Sequence, residues 1–221
     1  IEQKYPLSES QGERSIFLFG KETNDETYAI CKSDMMIKGD NPENIKVGST
    51  LATDSFQGNH FDFMLSNPPY GKNWSKDQAY IKDGNEVIDS RFKVTLPDYW
   101  GNVETLDATP RSSDGQLLFL MEMVNKMKSP KNNKIGSRVA SVHNGSSLFT
   151  GDAGSGESNI RRHIIEKDLL EAIVQLPNNL FYNTGITTYI WLLSNNKPEA
   201  RKGKVQLIDA SLLFRKLRKN L

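Results

Sequence analysis

The sequence predicts an α/β fold built around a mostly parallel β-sheet. Short apolar runs typical of strands alternate with segments in which apolar residues recur at helical spacing. This alternation is the pattern of βαβ units, in which successive strands lie parallel. A chain of 221 residues can bury an ample core, and no internal repeat interrupts the alternation. We therefore expect one domain over residues 1–221.

The predicted elements follow one another in a regular order. An apolar run over 15–19 ends at Gly20, and helical spacing over 24–37 ends at Gly39. The other predicted strands are 45–47, 61–65, 138–142, 170–175 and 187–193, and the other predicted helices are 117–127 and 159–166.

Two stretches break this order. Residues 71–114 are long, polar and rich in turns, and a loop of that length is either a functional cover or a mobile insertion. Its position favours a cover over a substrate pocket. The glycine-rich stretch 151–156 does not directly follow a predicted strand, so we predict a flexible connection, with Ser158 capping a helix that begins near Asn159. A permuted cofactor loop is the alternative for this second stretch.

Composition argues against several classes of protein. Lysine and arginine number 28 against 27 acidic residues, so overall charge does not indicate a nucleic-acid partner. No apolar stretch reaches membrane-spanning length and no signal peptide opens the sequence, so we expect a cytoplasmic protein without a membrane partner. The single cysteine and three scattered histidines argue against disulfides and against a metal site.

The most specific feature is the corner formed by Asn67, Pro68, Pro69 and Tyr70, directly after the predicted strand 61–65. Two consecutive prolines end a strand and cannot begin a regular one, so the corner is rigid. It offers the Asn67 side-chain carbonyl, the Pro68 main-chain carbonyl and an aromatic face. Two acceptors beside a stacking ring suit a planar aromatic amine, whose protons they can hold while its nitrogen attacks an electrophile. An ordinary tight turn is the alternative.

The corner resembles the catalytic motif of the amino-methyltransferases that use S-adenosylmethionine to methylate adenine in DNA. The resemblance extends along nearly the whole chain and is nearest to the modification subunits of type I restriction-modification systems. It implies a Rossmann-like S-adenosylmethionine-dependent methyltransferase fold. It also implies that Asn67 and Pro68 hold the amine, that Pro69 stiffens the loop and that Tyr70 stacks on a flipped base.

The resemblance also implies roles for residues elsewhere. Glu22 stands where the family has an acidic residue on the cofactor ribose, and Ser49, Thr50 and Leu51 match a motif that contacts the cofactor adenine. Ser49 replaces the Asp that is usual in that motif, which weakens the expected contact. Phe181, with Tyr182 second, stands where an aromatic residue stacks on the target base opposite Tyr70, although core packing is nearly as good a reading.

One expected part has no match in the sequence. The family's first motif, Asp-Pro-x-x-Gly-x-Gly after a strand, should precede Glu22, and residues 1–14 do not fit it. We therefore expect a catalytic-domain fragment, incomplete at its amino-terminal side, that binds S-adenosylmethionine weakly or not at all. In such a fragment the strands flanking the missing one either close the gap or let the chain associate with itself.

The resemblance implies double-stranded DNA as substrate and the specificity and restriction subunits of the same system as partners. Two alternatives stay open. The chain could be a catalytically incomplete binding or assembly module, as the missing motif suggests. It could also methylate another planar amine, namely that of cytosine, a protein glutamine or RNA, since similar corners serve those targets.

Overall fold

The computed structural model describes residues 16–131, 135–182 and 184–216. The described strands are β1 Gly20–Glu22, β2 Ile45–Val47, β3 Phe63–Ser66, β4 Lys82–Asp83, β5 Glu86–Val87, β6 Lys93–Pro97, β7 Val103–Asp107, β8 Arg138–Asn144, β9 Leu170–Gln175, β10 Thr188–Ser194 and β11 Gln206–Asp209. The described helices are α1 Asp25–Ile37, α2 Gln78–Ile81, α3 Gln116–Asn125, α4 Ser146–Phe149 and α5 Gly156–Glu166. The chain is thus α/β as predicted, although β2–β3, β4–β7 and β9–β11 follow one another without an α-helix between them. No helix within these ranges is both long and apolar enough to cross a membrane.

The chain divides into two compact units, with the boundary between Ser55 and Phe56, where the sequence predicts one domain over 1–221. In the first unit β1 and β2 form a parallel two-stranded sheet. Helix α1 begins where the Asn24 side chain accepts a hydrogen bond from the Thr27 amide over 2.8 Å. Of the predicted run 15–19, residue 15 lies outside the described residues and 16–19 form no strand.

The second unit is built on a five-stranded sheet in the order β11, β9, β10, β8, β3. β11 pairs parallel with β9 and β3 pairs parallel with β8, whereas β10 lies antiparallel between β9 and β8. Four strands therefore point the same way and one is reversed, so the predicted mostly parallel sheet is a mixed one. Helix α3 packs against β8, and its buried leucines join the core with Val139 and Leu193.

This topology sets where the functional loops lie. The carboxyl ends of β3, β8 and β9 lie along the same edge of the sheet, the one formed by strand ends, because these strands are parallel. Loops at that edge form the binding sites of α/β folds. The corner 67–70 leaves β3 at this edge, residues 145–146 follow β8 there, and the loop 176–187 joins β9 to β10 there.

The prediction of a long irregular loop over 71–114 is wrong in one respect, because this insertion has regular structure. It contains α2 and two antiparallel hairpins, β4–β5 and β6–β7. Several of its apolar side chains are buried, among them Trp74, Ile81 and Phe92, whereas Tyr99 and Trp100 are exposed. These strands are short and separated by turn-forming residues, so the sequence shows little strand pattern. In β6, for example, only Val94 and Leu96 face inward.

The glycine-rich stretch 151–156 also differs from its prediction. Helix α5 begins at Gly156, and Ser155, not Ser158, is the capping residue, with its hydroxyl accepting from the Ser158 amide. A β-carbon on Gly156 would lie only 1.7 Å from the Thr109 carbonyl oxygen. The glycine thus allows the close approach of two backbones, and a long-range contact of this kind has no sequence signature.

Candidate active site

The corner has the form that the sequence predicts at the end of a strand. β3 ends at Ser66, Asn67 is exposed, and Pro68 is buried beneath it. The Tyr70 hydroxyl donates a hydrogen bond to Asn67 Oδ1 over 3.0 Å. Partial burial raises the pKa of Tyr70 above its usual value, so the hydroxyl stays protonated and donates at neutral pH. The structure therefore brings the first and last residues of the corner into direct contact.

This contact fixes which end of the Asn67 side chain is the acceptor. A carboxamide oxygen has two lone pairs, and the Tyr70 hydroxyl uses one of them. The second lone pair stays available to a substrate proton. Both groups come from a loop stiffened by two prolines, so this acceptor is oriented before anything binds.

A polar network at the end of β8 lies at the same edge of the sheet. Gln116, at the start of α3, donates through Nε2 to Asn144 Oδ1 over 2.7 Å and to Asp114 Oδ2 over 2.7 Å. Ser146 Oγ lies 2.6 Å from Asn144 Oδ1 and 2.8 Å from Asp114 Oδ2, so these two oxygens share its single proton. The sequence assigns no role of its own to any residue of this network. The network joins the carboxyl end of β8 to the start of α3.

His143 adjoins this network and is fully buried. Burial lowers its pKa to about 4, so the imidazole is neutral at physiological pH. Its Nδ1 lies 3.2 Å from Gln116 Oε1, which also accepts from the Asn144 amide. Because Oε1 can only accept, Nδ1 carries the proton in this arrangement. His143 thus supports the network from inside the core.

The loop that carries Phe181 begins and ends in ordered contacts. The Leu176 amide donates to the Thr188 carbonyl over 2.9 Å. Phe181 is half-buried and Tyr182 is 99% exposed. β9 lies three strand positions from β3, or about 14 Å at ordinary strand spacing. Phe181 thus lies in a loop at the same edge as the corner, but no ring contact joins it to Tyr70 within the described residues.

In the first unit, Glu22 presents a carboxylate at the end of β1. Its Oε1 accepts hydrogen bonds from the amides of Thr23 and Asn24 over 2.7 Å and 2.9 Å. The bonds from the Asn24 and Thr23 amides lower the pKa of this carboxyl, so it is ionised at neutral pH. A fixed carboxylate at a strand end is suited to accept hydrogen bonds from vicinal ribose hydroxyls.

The turn after β2 contains the other predicted cofactor residues. Gly48 has a φ of +121°, and Ser49 Oγ accepts from the Ala52 amide over 3.4 Å. Leu51 is only 1% exposed, so its side chain belongs to the core of this unit. A contact between Leu51 and a bound cofactor would therefore use its backbone. The described residues contain no cluster of three or more metal-ligating side chains.

Known proteins resemble this chain in sequence and in fold. A curated relative from Methanocaldococcus jannaschii, the type I restriction enzyme MjaVII methylase subunit, is 30% identical over 203 residues, which is 91% of this chain and 31% of the relative. A solved type I restriction-modification methyltransferase subunit from Streptococcus thermophilus has a TM-score of 0.69 at 27% identity, over 92% of this chain and 38% of that one. The chain thus spans about a third of the length of these proteins.

The fold is that of the S-adenosylmethionine-dependent methyltransferases. A Listeria monocytogenes protein described as a class I enzyme of that kind has a TM-score of 0.58 at 15% identity, a likeness in fold alone. The family described as N-6 DNA methylase matches residues 1–221, which is every residue of the sequence. The predicted resemblance is thereby confirmed, and the chain belongs to the N-6 DNA methylase family.

Proposed function

We propose that this chain is the catalytic region of a type I modification subunit that methylates the exocyclic amino group of adenine in double-stranded DNA. The observation that carries the proposal is the corner at the end of β3, where the Tyr70 hydroxyl holds Asn67 Oδ1 as an oriented acceptor over 3.0 Å. The family match and the methyltransferase fold support it.

Asn67 and Pro68 act on the amine of the target base. The second lone pair of Asn67 Oδ1 and the Pro68 carbonyl each accept one amine proton, which draws the nitrogen toward tetrahedral geometry and frees its lone pair. With the methyl donor bound, the nitrogen would form its bond to the methyl carbon as the bond from that carbon to the donor's sulfonium sulfur breaks. The donor would leave as a neutral thioether, and one amine proton would pass to solvent. His143 is fully buried, so we assign it no role as a base.

The base has to leave the DNA helix to reach these acceptors. The Tyr70 ring then stacks on one face of the base, and Phe181 covers the other face if the loop 176–187 moves toward β3. The insertion 71–114, which follows the corner directly, covers the pocket from its outer side. The order of the loops along the sheet edge supports these proposed roles.

S-adenosylmethionine, when bound, supplies an electrophilic methyl group. Of the residues proposed to hold it, Glu22 fits best, because its ionised carboxylate stands at a strand end where ribose hydroxyls can donate to it. Ser49 and Thr50 offer hydroxyls and backbone groups for the adenine moiety, but neither supplies a charge. The specificity and restriction subunits of the same system are the proposed protein partners, and the proposed substrates place the reaction in the cytoplasm.

The test uses the complete natural gene product, with its specificity partner, DNA and labelled S-adenosylmethionine. Asn67→Ala removes one of two acceptors for the amine, and removal of one such preorganised group costs roughly 10²–10³-fold in kcat. Asn41→Ala is the control, because Asn41 is also exposed and accepts one hydrogen bond through Oδ1. Methylation that survives Asn67→Ala contradicts the proposed role of this residue.

Digestion of the methylated product identifies the acceptor. N6-methyladenine supports the proposal. Methylated cytosine, RNA or glutamine would contradict it and would identify that group as the substrate instead. A wild-type protein that binds DNA and its partners without transferring methyl groups supports the binding or assembly module instead.

A further inference from the structure

The backbone that leaves the corner is held by the segment 111–115. The Trp74 amide donates to the Ser112 carbonyl over 3.0 Å, and the Gly115 amide donates to the Lys72 carbonyl over 2.8 Å. The Trp74 indole Nε1 also donates to the Arg111 carbonyl over 2.9 Å. Two of these three bonds come from Trp74, which is only 2% exposed although it lies in a polar insertion.

This segment is itself anchored at both ends. The Arg111 amide donates to Glu157 Oε1, on α5, over 2.9 Å. Asp114 Oδ2 accepts from Gln116 Nε2 and from the Ser146 hydroxyl over 2.7 Å and 2.8 Å. The segment therefore joins α5 to the end of β8, and the chain that follows Tyr70 is fastened to this rigid support.

The packing around Trp74 leaves little free space. A β-carbon on Gly115 would lie 3.0 Å from Trp74 Cδ1 and 3.4 Å from the Lys72 carbonyl oxygen. Gly115 has a φ of −86°, which any residue adopts, so the side chain of Trp74 and not the backbone conformation requires glycine here. Gly71, with a φ of +62°, turns the chain from Tyr70 toward this contact.

We infer that Trp74 is a positioning residue for the catalytic corner, an inference that rests on the proposed function. β3 fixes where the corner begins, and Trp74 fixes where it ends. The two acceptors on Asn67 and Pro68 lie between these points. Misplacement of reacting groups by about 1 Å can cost 10²-fold in rate, so a clamp on the exit of the corner affects kcat more than the binding of DNA.

Trp74→Phe and Trp191→Phe in the complete natural gene product test this role. Both tryptophans are 2% exposed, so the two variants remove the same atoms from equally buried places. Trp191 Nε1 has no hydrogen-bond partner within the described residues, whereas Trp74 Nε1 has one. We expect Trp74→Phe to lower kcat about fivefold with KM for DNA unchanged, and Trp191→Phe to leave kcat unchanged. Equal losses in both variants would overturn the positioning role.

Hydrogen exchange gives a readout that does not depend on activity. In Trp74→Phe, peptides spanning 68–76 should exchange several-fold faster than in the wild type, and Trp191→Phe should leave them unchanged. Unchanged exchange in Trp74→Phe overturns the inference. A wild-type protein that does not methylate adenine contradicts the proposed function. In that case the hydrogen-exchange rates of peptides 68–76 alone test whether Trp74 holds the corner in place.

Gly115→Ala approaches the same contact from the other side. Its β-carbon presses on the Trp74 ring, so we expect kcat to fall in the wild-type background and to fall less when Trp74 is already Phe. Independent, additive losses would show that Gly115 and Trp74 do not act through their contact.

Discussion

The hydroxyl and the ring of Tyr70 have separable roles. The hydroxyl orients Asn67 Oδ1 through a bond of 3.0 Å, and the ring provides the stacking surface. One neutral hydrogen bond contributes about 1 kcal/mol, so we expect Tyr70→Phe to lower kcat about fivefold in methylation assays. Tyr70→Ala also removes stacking, at about 1–3 kcal/mol, and should lose considerably more. Tyr28→Phe, on α1, is the control for loss of a phenol, and a wild-type rate in Tyr70→Phe would contradict the orienting role.

Residues differ in how well a sequence can identify them. Asn67 to Tyr70 are consecutive residues after an apolar run, so the sequence alone shows that they lie close together in the structure. Trp74 and Gln116 could not be identified in this way. The bond from Trp74 to Arg111 spans 37 residues, and the bond from Gln116 to Asn144 spans 28. Contacts over such separations depend on the fold, which the local pattern does not specify.

A buried ion cluster fastens the insertion 71–114 to helix α3. Arg91 is 4% exposed; its Nη2 lies 2.6 Å from Asp89 Oδ2, and its Nη1 lies 2.9 Å from Glu122 Oε2, on α3. Asp89 belongs to the insertion and Glu122 belongs to α3, so the guanidinium lies between carboxylates of the two. The insertion is therefore packed on the core where this cluster lies, and it cannot move there without separating buried charges.

Removal of Arg91 should destabilise the second unit strongly. Arg91→Met leaves two largely buried carboxylates without their cation, and loss of one partner of a buried pair typically costs about 3–5 kcal/mol. Urea denaturation measures the change in the free energy of unfolding. Lys202→Met is the matched control, because Lys202 and Glu199 are also 2.6 Å apart but exposed, and an exposed pair contributes at most about 1 kcal/mol. Similar losses in both variants would show that burial of the cluster contributes nothing.

The elements that the sequence predicts best are those with an uninterrupted apolar pattern. β9 spans 170–175 and β2 spans 45–47, as predicted, because each is a short segment of mostly apolar residues between turns. The sequence gives no clear sign of β6 and β7, because each has solvent-exposed residues and lies in a turn-rich stretch. The predicted start of α5 lies three residues too late, because glycine is a poor helix former, and the close contact with Thr109 that requires Gly156 is not visible in the sequence.

At the scale of the whole molecule, the two edge strands of the largest described sheet differ in the number of strongly exposed apolar residues that they carry, two on β3 and one on β11. β3 is one of these edge strands, and within the described ranges β8 is its only strand neighbour. Phe63 and Leu65 on β3 are 65% and 85% exposed, and they lie on the same face because they are two residues apart. β11 forms the other edge, where Leu207 is 77% exposed. Unpaired strands that carry exposed apolar residues are templates for association with another chain.

We therefore predict that the 221-residue chain, on its own, associates with itself through β3. A charged residue within an edge strand opposes pairing, because it would have to be desolvated in the new interface. Leu65→Lys should shift sedimentation profiles, measured over a range of protein concentrations, toward the monomer. Leu207→Lys places the same charge on the opposite edge at a similarly exposed leucine and should leave the profiles unchanged. If both variants act equally, general surface hydrophobicity explains the association, and if neither acts, β3 is not the interface.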